Sequence, residues 1–176
     1  MKISLEEAED FVRQDYAEKD IMHNLDHIRR ILKAAQKIGE NHIYDSQMLT
    51  LGAYFHGIIY KKEKEIREFL KNKGFSQDET ERVVKIAWES QKDSRPETAE
   101  GLILHDAHLI EGGKTFLITK SLVTGTARGQ NLEETISFIE QNLLGKFKCY
   151  LPEAQEIYEQ KELFAREFLD DLKNNL

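Results

Sequence analysis

The sequence contains very little cysteine and proline. Among its 176 residues, one is cysteine, Cys149, and two are proline, Pro96 and Pro152. A single cysteine cannot form an internal disulfide, and it excludes a CxxC zinc site. The amino terminus, MKISLEEAEDF, turns acidic at once and carries no secretory signal pattern. We therefore expect a reducing, cytoplasmic location.

Long apolar runs and an excess of basic residues are also missing. No apolar run approaches the ~20 residues that a membrane-spanning helix needs. The 25 Lys and Arg residues against 32 Asp and Glu give a net charge of −7. This charge argues against binding to a nucleic-acid duplex or an anionic membrane, because both need a basic surface. A small anionic ligand needs only local positive charge and is not excluded.

Strand-like alternation is nearly absent, and helical periodicity extends along most of the chain. A hydrophobic fraction of 40% with 32% charged residues is typical of a globular domain with a core. We predict an all-α fold of about eight or nine helices, built as one compact domain over residues 1–176. The predicted helices cover about Ser4–Glu18, Leu25–Ile38, Ser46–His56, Lys62–Lys73, Ser76–Trp88, Leu102–Gly112, Lys114–Leu122, Leu132–Leu144 and Pro152–Leu172.

The histidines fall in or beside these helices with informative spacing. His23 and His27 are four residues apart in HNLDHIRRI, and both lie on one face if the helix begins early enough. His56 ends the central apolar segment LGAYFHGIIY. The segment LHDAHLIEG places His105, Asp106 and His108 within four residues. Imidazole and carboxylate groups suit zinc, iron, manganese or nickel, so three helices could supply one inner metal site.

Each histidine also has a plainer interpretation. A lone buried histidine such as His56 is more often a hydrogen-bonded core residue than a ligand. His105 and His108 could be surface residues, and His42, in the segment ENHIYD, fits a solvated loop. Spacing alone therefore indicates a metal site but no particular function.

The order of three motifs carries a resemblance. HNLDHIRRI (23–31), LGAYFHGIIY (51–60) and GLILHDAHLIEGGKTFLITKSL (101–122) resemble the consecutive motifs of the HD-domain superfamily of metal-dependent phosphohydrolases. The small single-domain branch is the most similar, and PEAQEIYEQKELFAREFLDDLK resembles its last helix. The resemblance covers nearly the whole chain. It implies a compact helical bundle of the HD-domain type that holds a divalent metal ion and hydrolyses a phosphate ester.

Position by position, the resemblance assigns roles to individual residues. His27 and His56 match metal-ligating histidines, and His23 matches a histidine that lies behind the ligands or faces the substrate. In the third motif two carboxylates are usual; Asp106 matches the first, and His108 stands at the second. His108 is the better candidate for the last ligand, with Asp106 as the alternative or additional one.

Three departures separate the sequence from this pattern. Gly57 replaces the aspartate of the His-Asp pair that names the superfamily, Asn24 replaces the aspartate after the first histidine, and Gln91 replaces a frequent histidine. Two interpretations stay open. Either His27, His56 and His108 form a rearranged site that still activates water, or catalysis is lost and the domain serves as a ligand-binding, regulatory or purely structural protein.

For the enzyme, the resemblance and the chemistry together imply a working set of residues. His23, or Asp106 if it is not a ligand, would act as general acid or base. Arg30 would contact a phosphate or a neighbouring carboxylate, and it is a candidate both for catalysis and for substrate binding. Lys120 and Arg128 would join it in binding substrate. The expected cofactor is Zn, Mn, Fe or Ni, and the expected ligand is a small phosphorylated molecule, nucleotides included. The plainer interpretation of Arg30 and Lys120 is surface charge. Association with further copies of the chain stays open.

Overall fold

The computed structural model describes residues 3–176, which form nine α-helices and no strand. The predicted all-α fold is confirmed. In chain order the helices are α1 (Leu5–Ala17), α2 (Leu25–Ile38), α3 (Ser46–His56), α4 (Ile59–Asn72), α5 (Gln77–Glu89), α6 (Ala99–Ile110), α7 (Phe116–Ala127), α8 (Leu132–Asn142) and α9 (Pro152–Asn174).

Local capping explains where several helices begin. Ser4 with Glu7 forms a reciprocal capping box at α1, and Ser76 with Glu79 forms the same box at α5. Each pair satisfies two backbone N–H groups that the first turn leaves without helical partners. Such boxes are readable from sequence, and both were predicted at these positions.

The start of α2 differs from the geometry that the spacing of His23 and His27 suggested. Asn24 caps this helix, and its side chain accepts a hydrogen bond from the backbone N–H of Asp26. His23 therefore lies in the turn before α2 and does not share a helix face with His27. Asn24 stands where the first motif usually carries an aspartate. Asparagine and aspartate both cap helices well, so either residue can serve at this position.

Several further boundaries differ from the prediction, among them the start of α6 at Ala99 and the bounds of α4 and α7. Helix α4 begins at Ile59, three residues before the predicted start at Lys62. Lys62 itself has non-helical backbone angles, φ −127° and ψ 24°. Helix α7 continues to Ala127, so most of the predicted loop Thr124–Gln130 is helical. Gly125 permits this because it packs tightly on α8, where an added Cβ would collide with the Thr135 side chain.

Helix α3 is the centre of the fold. It packs against α5, α6, α2, α1 and α4, and its residues are buried on nearly every side. Gly52 lets α5 approach closely, since a Cβ there would collide with Ile86. The main hydrophobic core joins α1 to α6 with the start of α9. A smaller cluster joins α7, α8 and the second half of α9 through Ile118, Ile136, Ile139, Leu144, Ala165 and Leu169.

Within residues 3–176, none of the helices combines the length and the apolar character that crossing a membrane would require.

Candidate metal centre and its cavity

A cavity of about 530 Å³ opens between the main core and the α7–α8 layer. This volume falls in the range of small-molecule sites. Residues of α2, α3, α4, α6, α7, α8 and α9 contribute to its lining. The lining includes His27, His56 and His108 and the cationic side chains of Lys19, Lys92, Lys120, Arg128 and Lys161.

His27, His56 and His108 converge at one place in this cavity. One ring nitrogen of each lies within 4.8 Å of the corresponding nitrogen of the other two. His27 comes from α2, His56 from the last residue of α3, and His108 from the last turn of α6. The ring centres of His56 and His108 are 4.4 Å apart, and that of His27 is 5.6 and 5.5 Å from them. We call these residues the three-histidine group.

The protein fixes the orientation of the His27 ring. Nδ1 of His27 lies 2.9 Å from Oε2 of Glu111, and both side chains are buried. A carboxylate oxygen only accepts, so Nδ1 carries the hydrogen and Nε2 keeps a free lone pair. A carboxylate behind a histidine in this way is a common support for a metal ligand.

The other two rings are oriented through Ser90 at the end of α5. The Ser90 hydroxyl donates to the carbonyl of Ala87 at 2.6 Å, so it accepts from Nδ1 of His56 at 2.8 Å. Nδ1 of His108 donates to the Ser90 carbonyl at 3.3 Å. Every ring of the three-histidine group thus uses Nδ1 within the protein and presents Nε2 as a lone-pair donor.

Burial keeps these rings neutral. It lowers the pKa of His27 to about 4, with Glu111 opposing that shift. It also lowers the pKa of His56 and of His108 well below the usual value, and neighbouring histidines and Lys120 add to the effect. Metal ions bind the neutral imidazole, so the rings are in the ligating form at neutral pH.

The donor set fits a divalent transition metal. Three neutral imidazoles suit zinc and similar divalent transition metals. Because the protein would supply only three ligands, a fourth position around the ion would remain for water or substrate. No carboxylate of the described residues belongs to this group.

Glu111 is the buried residue beside the three-histidine group that sequence reasoning missed. Its side chain is 1% exposed, and it accepts hydrogen bonds from His27, from Nε of Arg30 at 2.6 Å and from Nζ of Lys120 at 2.9 Å. Burial alone would raise its pKa, but the contact with His27, the charge of Lys120 and the other donors outweigh this and lower the pKa to about 2. Glu111 is therefore an anion that joins α2 to α7 behind the three-histidine group.

Lys161 of α9 holds the chain at Glu111. Its buried ammonium donates to the carbonyls of Leu109 and Glu111 at 2.8 and 2.7 Å. These carbonyls stand at the end of α6, where helical partners are missing. Burial lowers the pKa of Lys161 to about 8. Gly112 and Gly113 follow with φ of 72° and 75°, which turns the chain away after Glu111.

Arg30 and Lys120 both contact the Glu111 carboxylate. Arg30 also donates to the carbonyl of Met22 at 2.9 Å and is absent from the described residues that line the cavity. Of its two expected contacts, phosphate or neighbouring carboxylate, the structure shows the carboxylate. Lys120 does line the cavity, where burial lowers its pKa while Glu111 opposes that effect.

Asp106 lies away from the three-histidine group. One oxygen accepts from Nδ1 of His105 at 2.8 Å, and the other accepts from the backbone N–H groups of Tyr150 and Leu151 at 2.8 and 2.6 Å. The side chain is fully buried. This placement does not fit the expected roles of metal ligand or general acid–base, because both oxygens are committed to joining α6 to the segment before α9.

His23 and Arg128 both border the cavity. His23 is 32% exposed, and its Nδ1 lies 3.0 Å from both oxygens of Asp20, so Nδ1 donates and Nε2 is left as a proton acceptor. Burial lowers the pKa of His23, followed by the charge of Lys120. Arg128 caps the carboxyl end of α7 and lies over the ring of Phe138.

Gly57 stands where HD-type sites carry an aspartate, and its surroundings are filled. A Cβ added there would lie 2.5 Å from the hydroxyl oxygen of Tyr16 and 2.7 Å from Nζ of Lys19. Tyr16 accepts from the Gly57 N–H at 3.0 Å and donates to the Tyr54 carbonyl at 3.2 Å, while Lys19 donates to the Gly57 carbonyl at 2.8 Å. An aspartate at this position would require both side chains to move.

Comparison with known proteins gives a structural likeness only. A scan against known protein families finds no match, and no curated protein matches the sequence. Solved structures match over nearly the whole chain. Bacillus subtilis YpgQ, in complex with ADP, has a TM-score of 0.73 at 21% identity, covering 95% of this chain and 97% of that one.

Two further solved structures are similar to this chain. An HD-superfamily hydrolase from Bacillus thuringiensis has a TM-score of 0.73 at 18% identity, covering 97% of this chain and 95% of that one. A protein from Lactobacillus plantarum has a TM-score of 0.81 at 14% identity, covering 96% and 94%. The chain therefore has the HD-domain fold, as the motif order predicted.

Proposed function

We propose that this protein is a metal-dependent phosphohydrolase that acts on a small phosphorylated molecule. The observation that carries the proposal is the convergence of three neutral, oriented histidine rings inside a cavity lined by cationic side chains. The fold is that of a superfamily that includes hydrolases, one of which is similar to this chain. The complex of YpgQ with ADP supports a phosphorylated ligand for the corresponding cavity here.

The residues of this chain would divide the work as follows. His27, His56 and His108 would hold a Zn, Mn, Fe or Ni ion, and the bound ion would supply a Lewis acid and an acidified water. Glu111 keeps the His27 ring in the ligating tautomer. His23 would accept or return a proton at Nε2. Lys120 and Arg128 would neutralise the phosphate groups of the substrate.

A metal analysis and an activity screen test this proposal. Protein purified without a histidine tag should carry, or take up, close to one equivalent of one of these metals. A screen of nucleotides and sugar phosphates should then release inorganic phosphate. His56→Ala should abolish both properties, whereas His42→Ala, a histidine outside the cavity, should keep them. Phosphate release that survives His56→Ala would exclude the three-histidine group as the site of hydrolysis.

A second function has a specific observation in its favour. Gly57 stands where HD-type sites usually carry an aspartate, and the side chains of Tyr16 and Lys19 fill the space beside it. A site without that carboxylate can bind metal and ligand while hydrolysing slowly or not at all. Metal uptake and phosphate binding without turnover of any tested ester would support this ligand-binding or regulatory role over the enzyme.

A further inference from the structure

We propose that Lys19, together with Gly57, forms an anion-binding position beside the three-histidine group that takes a phosphate group of the ligand. The inference rests on the proposed function for the site but specifies what replaces the missing carboxylate. HD-type sites place a negative charge at the position of Gly57, whereas here an ammonium group stands beside it.

The geometry brings the Lys19 ammonium into the space that a side chain at position 57 would need. A Cβ added to Gly57 would lie only 2.7 Å from Nζ of Lys19. The ammonium is anchored by the Gly57 carbonyl at 2.8 Å and lies 4.0 Å from the centre of the Tyr16 ring. An ammonium has three donors, so this anchoring leaves others for a ligand in the cavity that Lys19 lines.

The charge of Lys19 is poorly compensated by the protein. The acidic groups that act electrostatically on its ammonium are Asp15 and Asp20. Asp15 is paired with Lys62 at 2.7 Å, and Asp20 accepts from His23 and from the Met22 N–H. Over residues 3–176, no carboxylate lies within ion-pair distance of the Lys19 ammonium, which leaves its charge available to an anion in the cavity.

The rest of the cavity favours the same kind of ligand. Its lining carries the cations of Lys19, Lys92, Lys120, Arg128 and Lys161 against one carboxylate, that of Glu111. This balance is opposite to the net charge of −7 for the whole chain. Walls of one sign concentrate counter-ions in a cavity. A cation near the metal ligands also disfavours a second metal ion, so the space beside Gly57 suits an anion instead.

The test measures binding of inorganic phosphate by calorimetry to the full-length protein, both metal-free and loaded with zinc. Lys19→Met should weaken phosphate binding about tenfold or more, because one charge-assisted donor is lost. Lys19→Arg should restore most of the affinity. The matched control is Lys71→Met, which removes an exposed lysine outside the cavity and should bind phosphate as the unaltered protein does. Zinc content should stay at the unaltered level in all three variants.

The outcomes separate this inference from the proposed function. One outcome is that the protein takes up no metal and hydrolyses nothing while Lys19→Met still weakens phosphate binding and Lys71→Met does not. That result would support the anion-binding position and reject the proposed function. If Lys19→Met binds phosphate as tightly as the unaltered protein, the anion position is excluded, whatever the metal analysis shows. An equal loss in Lys71→Met would also exclude it, since the effect would then follow net charge.

Discussion

At the scale of single residues, the arrangement of the three-histidine group depends on one carboxylate that lies outside the group. Glu111 contacts His27, Arg30 and Lys120 at once. A buried carboxylate with three charged or polar donors is fixed in place, and it fixes its partners in turn. Its negative charge also offsets part of the positive charge around the three-histidine group. Glu111 thus sets both the orientation of the His27 ring and the charge around the three-histidine group.

Replacing Glu111 by glutamine tests this role. Glu111→Gln keeps the shape but removes the charge, so the His27 ring loses its strong acceptor and Lys120 and Arg30 lose their counter-ion. We expect zinc affinity to fall roughly 10-fold to 100-fold, the usual effect of changing a partner behind a metal ligand. Competition with a chromophoric chelator measures the affinity. Glu140→Gln, which alters an exposed ion pair with Lys173, serves as the control and should bind zinc normally.

The neutral histidines also predict how stability depends on pH. Burial lowers the pKa of His27 to about 4 from an ordinary value of 6.5. Between these values the unfolded chain binds more protons than the folded chain, so the free energy of unfolding falls as pH falls. His56 and His108 shift in the same direction. We therefore expect the metal-free protein to lose stability as pH decreases from about 6.5 towards 4.

Urea unfolding in the presence of EDTA measures this pH dependence. The comparison is with His27→Gln, which has the hydrogen-bonding capacity but no titration. The stability advantage of the unaltered protein over this variant should shrink by up to about 1.4 kcal/mol per pH unit inside the window. A difference that stays constant between pH 7 and pH 5 would contradict the assignment of a neutral, buried His27.

The sequence predicted the members of the three-histidine group better than their support. Motif order selected His27, His56 and His108 because a fold places such motifs together even when they are distant in the chain. Glu111 lies 84 residues from His27, and it follows the end of α6 in a non-helical conformation, with φ −42° and ψ 133°. Neither periodicity nor spacing predicts that a residue after a helix end folds back into the core.

At the scale of helices, Asp106 joins α6 to the chain that leads into α9. Its carboxylate accepts from two successive backbone N–H groups, those of Tyr150 and Leu151, and from the ring of His105. Leu151 is the N-cap residue of α9 and has no side-chain cap of its own. Asp106 therefore fixes the start of the longest helix relative to the helix that carries His108.

This placement predicts that stability and metal binding respond differently to Asp106→Ala. Two backbone N–H groups, one buried and one partly buried, would lose their acceptor. We expect this to lower the free energy of unfolding by about 2–4 kcal/mol. Zinc content per folded molecule should stay close to that of the unaltered protein. Asp106→Asn, which keeps one acceptor oxygen, should lose less stability. Loss of zinc from either variant without loss of stability would return Asp106 to the set of ligands.

Helix boundaries that depend on local sequence signals were predicted, whereas a boundary that depends on a tertiary contact was missed. The bounds of α2 and α3 agree with the prediction, and the starts of α1 and α5 follow capping signals within four residues. The end of α7 was missed because Gly125 ordinarily indicates a loop. Here it is kept helical by the close approach of α8 at Thr135, a tertiary contact that local sequence rules do not contain.

At the scale of the whole molecule, the three-histidine group connects three helices that are separate in sequence. Helices α2, α3 and α6 each supply one ring, and all three belong to the main core. An ion bound to these rings would link α2, α3 and α6 only in the folded state, because the unfolded chain does not hold the rings together. Metal binding should therefore raise the free energy of unfolding.

The size of this effect and its location can both be measured. At a free metal concentration 100 times the dissociation constant, linkage predicts a gain of about 2.7 kcal/mol in unfolding free energy over the EDTA-treated protein. His108→Gln should show little gain under the same conditions. Hydrogen exchange should slow in α2, α3 and α6 more than in α8, whose packing belongs to the smaller cluster. An equal gain in His108→Gln would mean that the ion binds elsewhere, and uniform protection that includes α8 would mean that the whole molecule opens as one unit.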